Sequence, residues 1–193
     1  MINVVCVNAN NYLGRGQDYV DRLQYGVSRH LGAHKFHVLT EKDVPPGVEG
    51  WWAKLAMFKP GRFEGRCLYF DLDTLIVGSI GHLANYRGGF AALSDFYRPE
   101  SLASGVMTWE AGRADHIWTR WVQCGMPQFH QYGDGGWIND VIPEADRLQT
   151  LFPSQIVSFK AHCLDGIPEG ARVVCFHGKP RPHVLSDILD HWQ

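Results

Sequence analysis

The order of apolar segments at the start of the chain restricts its fold more than any other feature of the sequence. Two short apolar runs, residues 2–7 and 36–39, have the length of buried strands. Between them, apolar residues recur every four positions, which predicts a helix with Tyr19, Leu23, Val27 and Leu31 on its buried face. A strand–helix–strand unit is typical of α/β proteins. We therefore predict one α/β domain over residues 1–193, with a mostly parallel central sheet flanked by helices.

A pair of carboxylates follows the third apolar run. Residues 67–70 have the pattern of a strand that is buried on both faces, and Asp71 and Asp73 come directly after it. Residues two apart in an extended chain point the same way, so these side chains face one point. Two interpretations are open: the pair holds a divalent cation, which prefers carboxylate oxygens, or it forms turns and caps at the strand end. Because ligands of α/β sheets lie beyond the carboxyl ends of strands, we expect the loop of residues 8–16 at the same edge.

A histidine follows the last predicted strand, residues 173–176. If that strand ends at the same sheet edge, His177 joins Asp71 and Asp73. Two carboxylates and one imidazole form an oxygen–nitrogen donor set that suits Mn²⁺, with Mg²⁺ as the substitute. Lys179 lies nearby in the sequence and can compensate the charge of a phosphate. The alternative is that His177 is a loop residue bonded to the backbone.

Charge and composition limit the partners of the chain. The formal net charge is −2, so a surface for nucleic acid is not expected. No apolar run has the length of a membrane span, and no signal peptide is recognisable. The five cysteines form no CxxC pair, and Cys6, Cys67 and Cys175 lie in strand-like runs. We therefore expect reduced core cysteines and a cytoplasmic protein, and the sequence leaves its oligomeric state open.

Weaker patterns predict the remaining elements. Helices are expected over residues 51–58 and 115–124, a short amphipathic turn or two over 184–192, and strands over 90–93 and 106–109. The glycine-rich segment 133–140 is expected to be a flexible turn that contains Asp134. In the alternative, Asp134 is the N-cap of a helix that runs to Ile142.

Taken in chain order, these segments resemble the motifs of the GT-A glycosyltransferases, most closely glycosyltransferase family 8 and its bacterial and viral relatives. The family's "YxDxD" signature corresponds to residues 69–73, and its closing "HxxGxxKP" corresponds to a shorter form at residues 177–180. The individually weaker matches are residues 7–12, Lys54 in its predicted helix, residues 103–107 and residues 133–139. The resemblance covers most of the chain, and the joint order of the motifs makes it specific.

The resemblance implies a Rossmann-like GT-A fold and a nucleotide-sugar donor, usually a UDP-sugar. Tyr12 would stack on the base, with Asn8 and Asn10 along its edge. Asp71, Asp73 and His177 would hold Mn²⁺ or Mg²⁺. Contacts with the rest of the donor are implied for Lys54, Leu72, Ser104, Gly178 and Lys179, with Arg181 as a further electrostatic aid. Simpler roles are open as well: loop packing for Tyr12, a solvated helix position for Lys54 and a turn for Gly178.

The resemblance also concerns the chemistry. Two carboxylates, Asp134 and Asp95, match family positions from which a negative charge can stabilise an anomeric carbon. The sequence departs from the family at Gly135, where the family has Gln, and at Ala103, where it has Asn. Family 8 implies retention of the anomeric configuration. The acceptor would be a hydroxyl of a glycan, a lipid-linked sugar or a protein, and the sequence does not choose among them.

Two other functions fit parts of the sequence. Residues 70–75 are close to the DxDxT loop of haloacid dehalogenase-type phosphatases, in which Asp71 would accept a phosphoryl group and Asp73 would act as acid or base. In those enzymes the motif ends the first strand, whereas here a strand–helix–strand unit precedes it. The second alternative is a nucleotide-sugar-binding module without catalysis, which the departures at Gly135 and Ala103 would allow.

Overall fold

The structure is a computed structural model in which residues 1–185 are described. The strands are β1 (Ile2–Val7), β2 (Lys35–Leu39), β3 (Arg66–Phe70), β4 (Thr74–Ile76), β5 (Phe90–Ser94), β6 (Leu102–Glu110), β7 (Asp146–Arg147), β8 (Ile156–Ser158) and β9 (Val173–Cys175). The α-helices are α1 (Gly16–His30), α2 (Gly81–Ala84), α3 (Asp115–Gln123), α4 (Gly133–Val141), α5 (Leu148–Leu151) and α6 (Phe159–His162). Short 3₁₀ segments span Tyr12–Gly14, Gly50–Phe58 and Pro182–Val184. Of the turn predicted over residues 184–192, residues 186–192 lie outside the described part.

The main sheet has the strand order β2-β1-β3-β6-β5-β7. β1 runs parallel to both β2 and β3, and β7 runs parallel to β5. Only β6 is antiparallel to its neighbours β3 and β5 in this sheet. The predicted α/β class with a mostly parallel central sheet is therefore confirmed.

Both faces of the main sheet are covered, because buried strand residues alternate between two hydrophobic clusters. In β1, Val4 and Cys6 belong to one cluster and Val5 to the other. The first cluster packs the sheet against the face of α1 that carries Tyr19, Val20, Leu23 and Val27. The second packs it against the Gly50–Phe58 segment, α3 and α4. Burial on both faces explains why the strands are continuous apolar runs.

A second sheet of three strands has the order β4-β9-β8. The expectation that the strand before His177 ends at the same sheet edge as Asp71 is wrong, because β9 belongs to this second sheet. β4 begins at Thr74, directly after Asp73, and pairs antiparallel with β9 so that Thr74 lies opposite Cys175. This pairing, rather than a shared sheet edge, returns His177 to the acidic pair.

The glycine-rich segment is the other prediction that the structure corrects. It forms helix α4 rather than a flexible turn, and Tyr132, not Asp134, occupies the N-cap position. Glycines are poor helix formers, but close packing requires them here. A Cβ on Gly135 would lie 3.0 Å from the carbonyl oxygen of Leu102, and one on Gly136 would lie 2.1 Å from His130 Nδ1.

The strand β6 begins at Leu102, earlier than residue 106 where the sequence predicted it. The cysteines of the described part are free thiols, and Cys6, Cys67 and Cys175 are buried as expected. Within residues 1–185, no helix combines the length and the apolar character that a membrane crossing requires.

Candidate active site

Asp71 and Asp73 lie in the tight connection from β3 to β4. The turn is closed by a 3.0 Å hydrogen bond from the Thr74 backbone N–H to the Asp71 carbonyl. The Asp71 backbone N–H donates to the Gly105 carbonyl of β6 at 2.8 Å, which ties the turn to the main sheet. A side chain at Gly105 would crowd the site, because a Cβ there would lie 3.3 Å from Asp71 Oδ2. The two carboxylates are thus fixed where the two sheets meet.

Lys54 links three polar side chains at this point. Its Nζ lies 2.9 Å from Asp71 Oδ1 and 3.4 Å from Asp134 Oδ2. It also donates to Ser104 Oγ at 3.2 Å, and Ser104 donates to Asp134 Oδ2 at 2.6 Å. Burial alone would lower the pKa of Lys54, but the charges of Asp134 and Asp71 raise this pKa above its usual value. Lys54 is therefore a buried, charged group and not a solvated helix residue.

Tyr69 also holds Asp71. Its hydroxyl donates to Asp71 Oδ1 at 2.6 Å, and the Lys54 ammonium lies 5.7 Å from the centroid of its ring. Burial and the Asp71 charge raise the pKa of Tyr69 well above its usual value, so the phenol stays a donor. Asp71 Oδ1 is consequently fixed by one cation and one hydroxyl.

Asp73 is held by a different pair of residues. The Tyr12 hydroxyl donates to Asp73 Oδ2 at 2.9 Å, and the Arg181 guanidinium forms an ion pair with the same oxygen. The guanidinium also lies over the Tyr12 ring, 5.6 Å from its centroid. Burial raises the pKa of Asp73 to about 6, the Asp71 charge acts in the same direction, and Arg181 opposes both. Since Asp73 is 4% exposed, these two protein groups replace the water that would otherwise solvate it.

His177 follows β9, and its side chain bonds to a residue outside the acidic pair. Its Nε2 lies 2.7 Å from Ser158 Oγ, and its ring stacks on Phe96 with 5.7 Å between centroids. Burial lowers the pKa of His177, and the nearby Lys160 charge lowers it further. The imidazole is therefore neutral near pH 7, which is the form that binds metals.

These residues line two adjoining cavities. The larger cavity, of about 530 Å³, is lined by residues that include Tyr12, Trp51, Lys54, Leu72, Asp73, Gly178 and Arg181. The smaller cavity, of about 230 Å³, is lined by residues that include Asp95, Phe96, Tyr97, Ser104 and Tyr132. Asp71, Asp134, Phe176 and His177 line both. The two cavities therefore share one wall, and that wall carries two carboxylates and an imidazole.

Three residues that the sequence singled out lie elsewhere. Asn8 accepts a 3.2 Å hydrogen bond from the Tyr12 backbone N–H, and its side chain fills the space beside Gly16, where a Cβ would lie 2.0 Å from Asn8 Oδ1. Asn8 thus shapes the loop that carries Tyr12. Asn10 lines a separate cavity of about 220 Å³ beside Pro45. Lys179 lines none of these three cavities.

The two candidate catalytic carboxylates have different surroundings. Asp95 closes a turn after β5, where its Oδ1 accepts from the backbone N–H groups of Tyr97 and Arg98 at 2.9 and 3.0 Å. Its Oδ2 pairs with the Arg98 guanidinium at 2.8 Å. Among the described residues, Asp134 pairs with Lys54 and accepts a hydrogen bond from Ser104, and it stands in the shared wall. The geometry of Asp95 is that of a turn residue, whereas Asp134 faces both cavities.

The donor types at this site fit a divalent ion. Asp71 Oδ1 and Asp73 Oδ2 carry the contacts given above, and the described residues make no hydrogen bond to the second oxygen of either carboxylate. Both carboxylates and His177 line the larger cavity. Across residues 1–185, however, no three His, Cys, Asp or Glu side chains are close enough together to hold an ion as they stand. An ion held by all three of these side chains would therefore require them to rearrange.

Exposed aromatic rings beside the cavities were not predicted from the sequence. Trp51 is 59% exposed beside the larger cavity, and Tyr97 is 64% exposed beside the smaller one. Tyr132 lies under the Arg98 guanidinium, 4.4 Å from its ring centroid. One signal was available: Trp51 and Trp52 are adjacent, and neighbours in a helix cannot both face the core. The other rings lie in loops, where the apolar periodicity says nothing about burial.

Comparison of the sequence with models of protein families and with curated proteins gives no match. Solved structures of glycosyltransferases match almost the whole chain. The bifunctional glycosyltransferase WbbM has a TM-score of 0.70 at 11% identity, over 94% of this chain and 46% of WbbM. The galactosyltransferase LgtC, solved with donor and acceptor sugar analogs, has a TM-score of 0.68 at 14% identity, over 93% of this chain and 88% of LgtC. GlyE from Streptococcus pneumoniae TIGR4 has a TM-score of 0.70 at 15% identity, over 93% of this chain and 55% of GlyE.

The chain thus spans about half the length of WbbM and GlyE and most of LgtC. At identities this low the likeness concerns the fold, and the fold agrees with the one that the motifs implied. The main sheet with its single antiparallel strand, the small second sheet and the acidic turn between them are together a GT-A glycosyltransferase fold.

Proposed function

We propose that this chain is a glycosyltransferase that moves a sugar from a nucleoside diphosphate donor, a UDP-sugar, to a hydroxyl group of an acceptor. The observation that carries the proposal is the wall shared by the two cavities, formed by Asp71, Asp134, Phe176 and His177. A transferase must hold two substrates on either side of one reacting carbon. The shared wall offers such a place, and the GT-A fold supports the same function.

In this proposal the donor occupies the larger cavity. Its volume of about 530 Å³ is within the usual range for the binding site of a small molecule. The base lies on the ring of Tyr12 beside Trp51. The diphosphate lies towards Gly178, where a Cβ would be 3.0 Å from Lys160 Nζ and where the φ of +76° favours glycine. Gly178 therefore lets the backbone approach the phosphates closely, and Arg181 supplies positive charge beside them.

Asp71, Asp73 and His177 would hold Mn²⁺, or Mg²⁺ in its place. When bound, the ion acts as a Lewis acid on the departing diphosphate. Lys54 and Tyr69 orient Asp71 from the protein side, so that its Oδ2 is left for the ligand. The buried neutral imidazole of His177 is in the protonation state that a ligand needs.

In the reaction, the bond between the anomeric carbon and the diphosphate oxygen breaks with its electron pair leaving on the diphosphate. The acceptor oxygen forms the new bond to the anomeric carbon, and its hydroxyl proton passes to the departing diphosphate. Asp134 stands in the shared wall and stabilises the positive charge that grows at the anomeric carbon. Lys54 keeps Asp134 in place from 3.4 Å. We propose retention of the anomeric configuration, which proton NMR of the first-formed product tests directly.

The acceptor occupies the smaller cavity. Its rim carries the rings of Tyr97 and Tyr132, and its polar groups include Asp95 and Ser104. Aromatic faces beside hydrogen-bonding groups suit a molecule that is apolar on one side and rich in hydroxyls on the other. A saccharide has this character, so we propose a glycan or a lipid-linked sugar as the acceptor.

A screen of nucleotide-sugars for Mn²⁺-dependent release of the nucleoside diphosphate tests the proposal. We expect release with a UDP-sugar, stimulated by a saccharide acceptor and abolished by EDTA. Binding of a UDP-sugar by calorimetry without any release would identify a binding module instead. Release of phosphate from phosphomonoesters, together with trapping by fluoride metals at Asp71, would identify a phosphatase.

A further inference from the structure

Arg181, which the sequence suggested as an electrostatic aid to the donor, makes contacts that the motifs do not account for. It follows the His177-Gly178 segment, and its side chain is 25% exposed where it reaches Asp73. The guanidinium pairs with Asp73 Oδ2 and covers one face of the Tyr12 ring. Arg181 therefore contacts a predicted metal ligand and the predicted base-stacking residue at once.

The charges around the larger cavity show why a cation is needed there. Three carboxylates, those of Asp71, Asp73 and Asp134, face two cations, Lys54 and Arg181, so the cluster carries one net negative charge. Lys54 is already shared by Asp71 and Asp134. Arg181 is consequently the cation that balances Asp73, a residue that is 4% exposed. A divalent ion at Asp73 would take over this task and leave Arg181 without its partner.

A donor diphosphate offers Arg181 a new partner in the same cavity. A guanidinium binds carboxylate and phosphate oxygens through the same planar fork of N–H groups, so it can exchange one for the other. The Arg181 side chain is long and partly exposed, so side-chain rotation can bring it to a new partner in the same cavity. Lys179, the cation that the motif assigns to the diphosphate, does not line this cavity.

We propose that Arg181 is a placeholder cation, which occupies the cation side of Asp73 in the free protein and passes to the donor diphosphate when a divalent ion binds Asp73. This inference rests on the proposed function. Its consequence is thermodynamic. Arg181 competes with the metal while no nucleotide is present and favours the nucleotide once the metal is bound, so that metal and nucleotide bind with positive coupling.

Isothermal titration calorimetry tests the proposal with Mn²⁺ alone, UDP in EDTA, and UDP with saturating Mn²⁺. The variants are Arg181→Gln, Arg181→Lys and Lys179→Gln, with Arg15→Gln as the matched control because Arg15 pairs with exposed Asp18 outside the cavity. We expect Arg181→Gln to bind Mn²⁺ alone at least about fivefold more tightly and UDP–Mn²⁺ at least about fivefold more weakly, the lower end of usual couplings between sites. Arg181→Lys, which keeps the charge without the fork, should keep the Mn²⁺ affinity of the wild type and lose UDP affinity.

Thermal melts verify that each variant is folded. If Arg181→Gln is not folded, the affinities of Arg181→Lys still test the proposal. Unchanged or weaker Mn²⁺ binding by folded Arg181→Gln would overturn the placeholder role. The role would also be overturned if Lys179→Gln bound Mn²⁺ alone more tightly and UDP–Mn²⁺ more weakly, as we expect for Arg181→Gln. If the wild type binds UDP with Mn²⁺ but the two affinities are uncoupled, only this inference fails. If the wild type binds no UDP under any condition, both the proposed function and this inference fail.

Discussion

At the residue scale, Asp71 and Asp73 are close in sequence yet have separate partners. Lys54 and Tyr69 hold the first, and Arg181 and Tyr12 hold the second. The acidic pair itself was predictable, because two carboxylates after a buried strand are costly without a cation. The partners of Asp73 were not, since Arg181 is 108 residues away and no local pattern links it to Asp73.

The role of Tyr12 is tested by separating its ring from its hydroxyl. We expect Tyr12→Ala to weaken UDP binding by about 1–3 kcal/mol, the usual cost of losing one base–aromatic stack. Tyr12→Phe keeps the ring and loses only the 2.9 Å hydrogen bond to Asp73, so it should retain most of the affinity. Calorimetry measures both, with Tyr25→Ala on the exposed side of α1 as the control. If Tyr12→Phe lost as much UDP affinity as Tyr12→Ala, the hydroxyl rather than the ring would be responsible, and the base would lie elsewhere.

The role of Asp134 is tested by a substitution that removes the charge of its side chain and keeps its shape. Asp134→Asn keeps an oxygen for the Ser104 hydroxyl, so folding and UDP binding should change little. We expect the transfer rate to fall by about 10²-fold or more, the scale for losing one preorganised electrostatic group. Asp140→Asn is the control, because its exposed carboxylate lies on the same helix and pairs with His130 outside both cavities. Near wild-type turnover of Asp134→Asn would remove Asp134 from the mechanism and leave Asp95 as the next candidate.

At the scale of elements, α4 shows that a departure from a family motif can be built into backbone packing. The helix lies so close to β6 that a Cβ on Gly135 would be 3.0 Å from the Leu102 carbonyl oxygen and 3.4 Å from the Ser104 backbone nitrogen. Both neighbours are backbone atoms of a central strand, which cannot move aside cheaply. A side chain at this position, such as the Gln of the family motif, would therefore require α4 and β6 to move apart by a few tenths of an ångström.

Restoring that Gln should damage the fold. We expect Gly135→Gln to lower the free energy of unfolding by about 1–3 kcal/mol, the usual cost of overpacking, and Gly135→Ala to lower it by less. Urea denaturation with circular dichroism gives the comparison. Gly170→Ala is the control, since nothing lies within 4 Å of a Cβ there. Equal stabilities of Gly135→Gln and the wild type would show that α4 can move away from β6.

The success of sequence-based prediction differed among elements for physical reasons. The strands β1, β2 and β3 and the helix α1 were predicted because each is a continuous apolar run or a strongly periodic apolar segment. Of the second sheet, the strand β9 was predicted as an apolar run over residues 173–176. Its pairing with β4 and β8 was not predicted, because these strands are three residues each and exist through pairing with one another. Helix α4 was predicted only as the alternative to a flexible turn, because the contacts that stabilise it are tertiary and its glycines argue against a helix locally.

At the scale of the whole molecule, the candidate site exists because two sheets meet. The main sheet supplies Asp71 and Ser104, the second sheet brings His177 beside them, and the layer of helices on the far face supplies Lys54 and Asp134. A ligand in the larger cavity therefore contacts all these layers. Its binding energy adds to the stability of the folded chain, because unfolding separates every layer from the others.

This linkage gives a prediction for the whole chain. We expect UDP at about a hundred times its dissociation constant, in saturating Mn²⁺, to stabilise the fold by about 2.7 kcal/mol beyond Mn²⁺ alone. For a chain of this size such a gain raises the melting temperature by roughly 5–10 °C. UDP in EDTA should give a much smaller shift, because the diphosphate then adds its charge to a cluster that is already negative.

The variant Asp73→Ala separates a metal effect from a general one. It leaves Arg181 and Tyr12 in the cavity but removes a carboxylate that the ion requires, so the protein should remain folded and lose the joint shift produced by UDP and Mn²⁺. The shift should also fade when EDTA is added to the wild-type complex, and return with excess Mn²⁺. Scanning calorimetry of both proteins gives the result when it is run without ligand, with Mn²⁺ alone, with UDP in EDTA, and with UDP and Mn²⁺ together. A wild-type shift that is the same with EDTA as with Mn²⁺, or an undiminished shift in Asp73→Ala, would mean that nucleotide binding does not pass through a metal at this acidic pair.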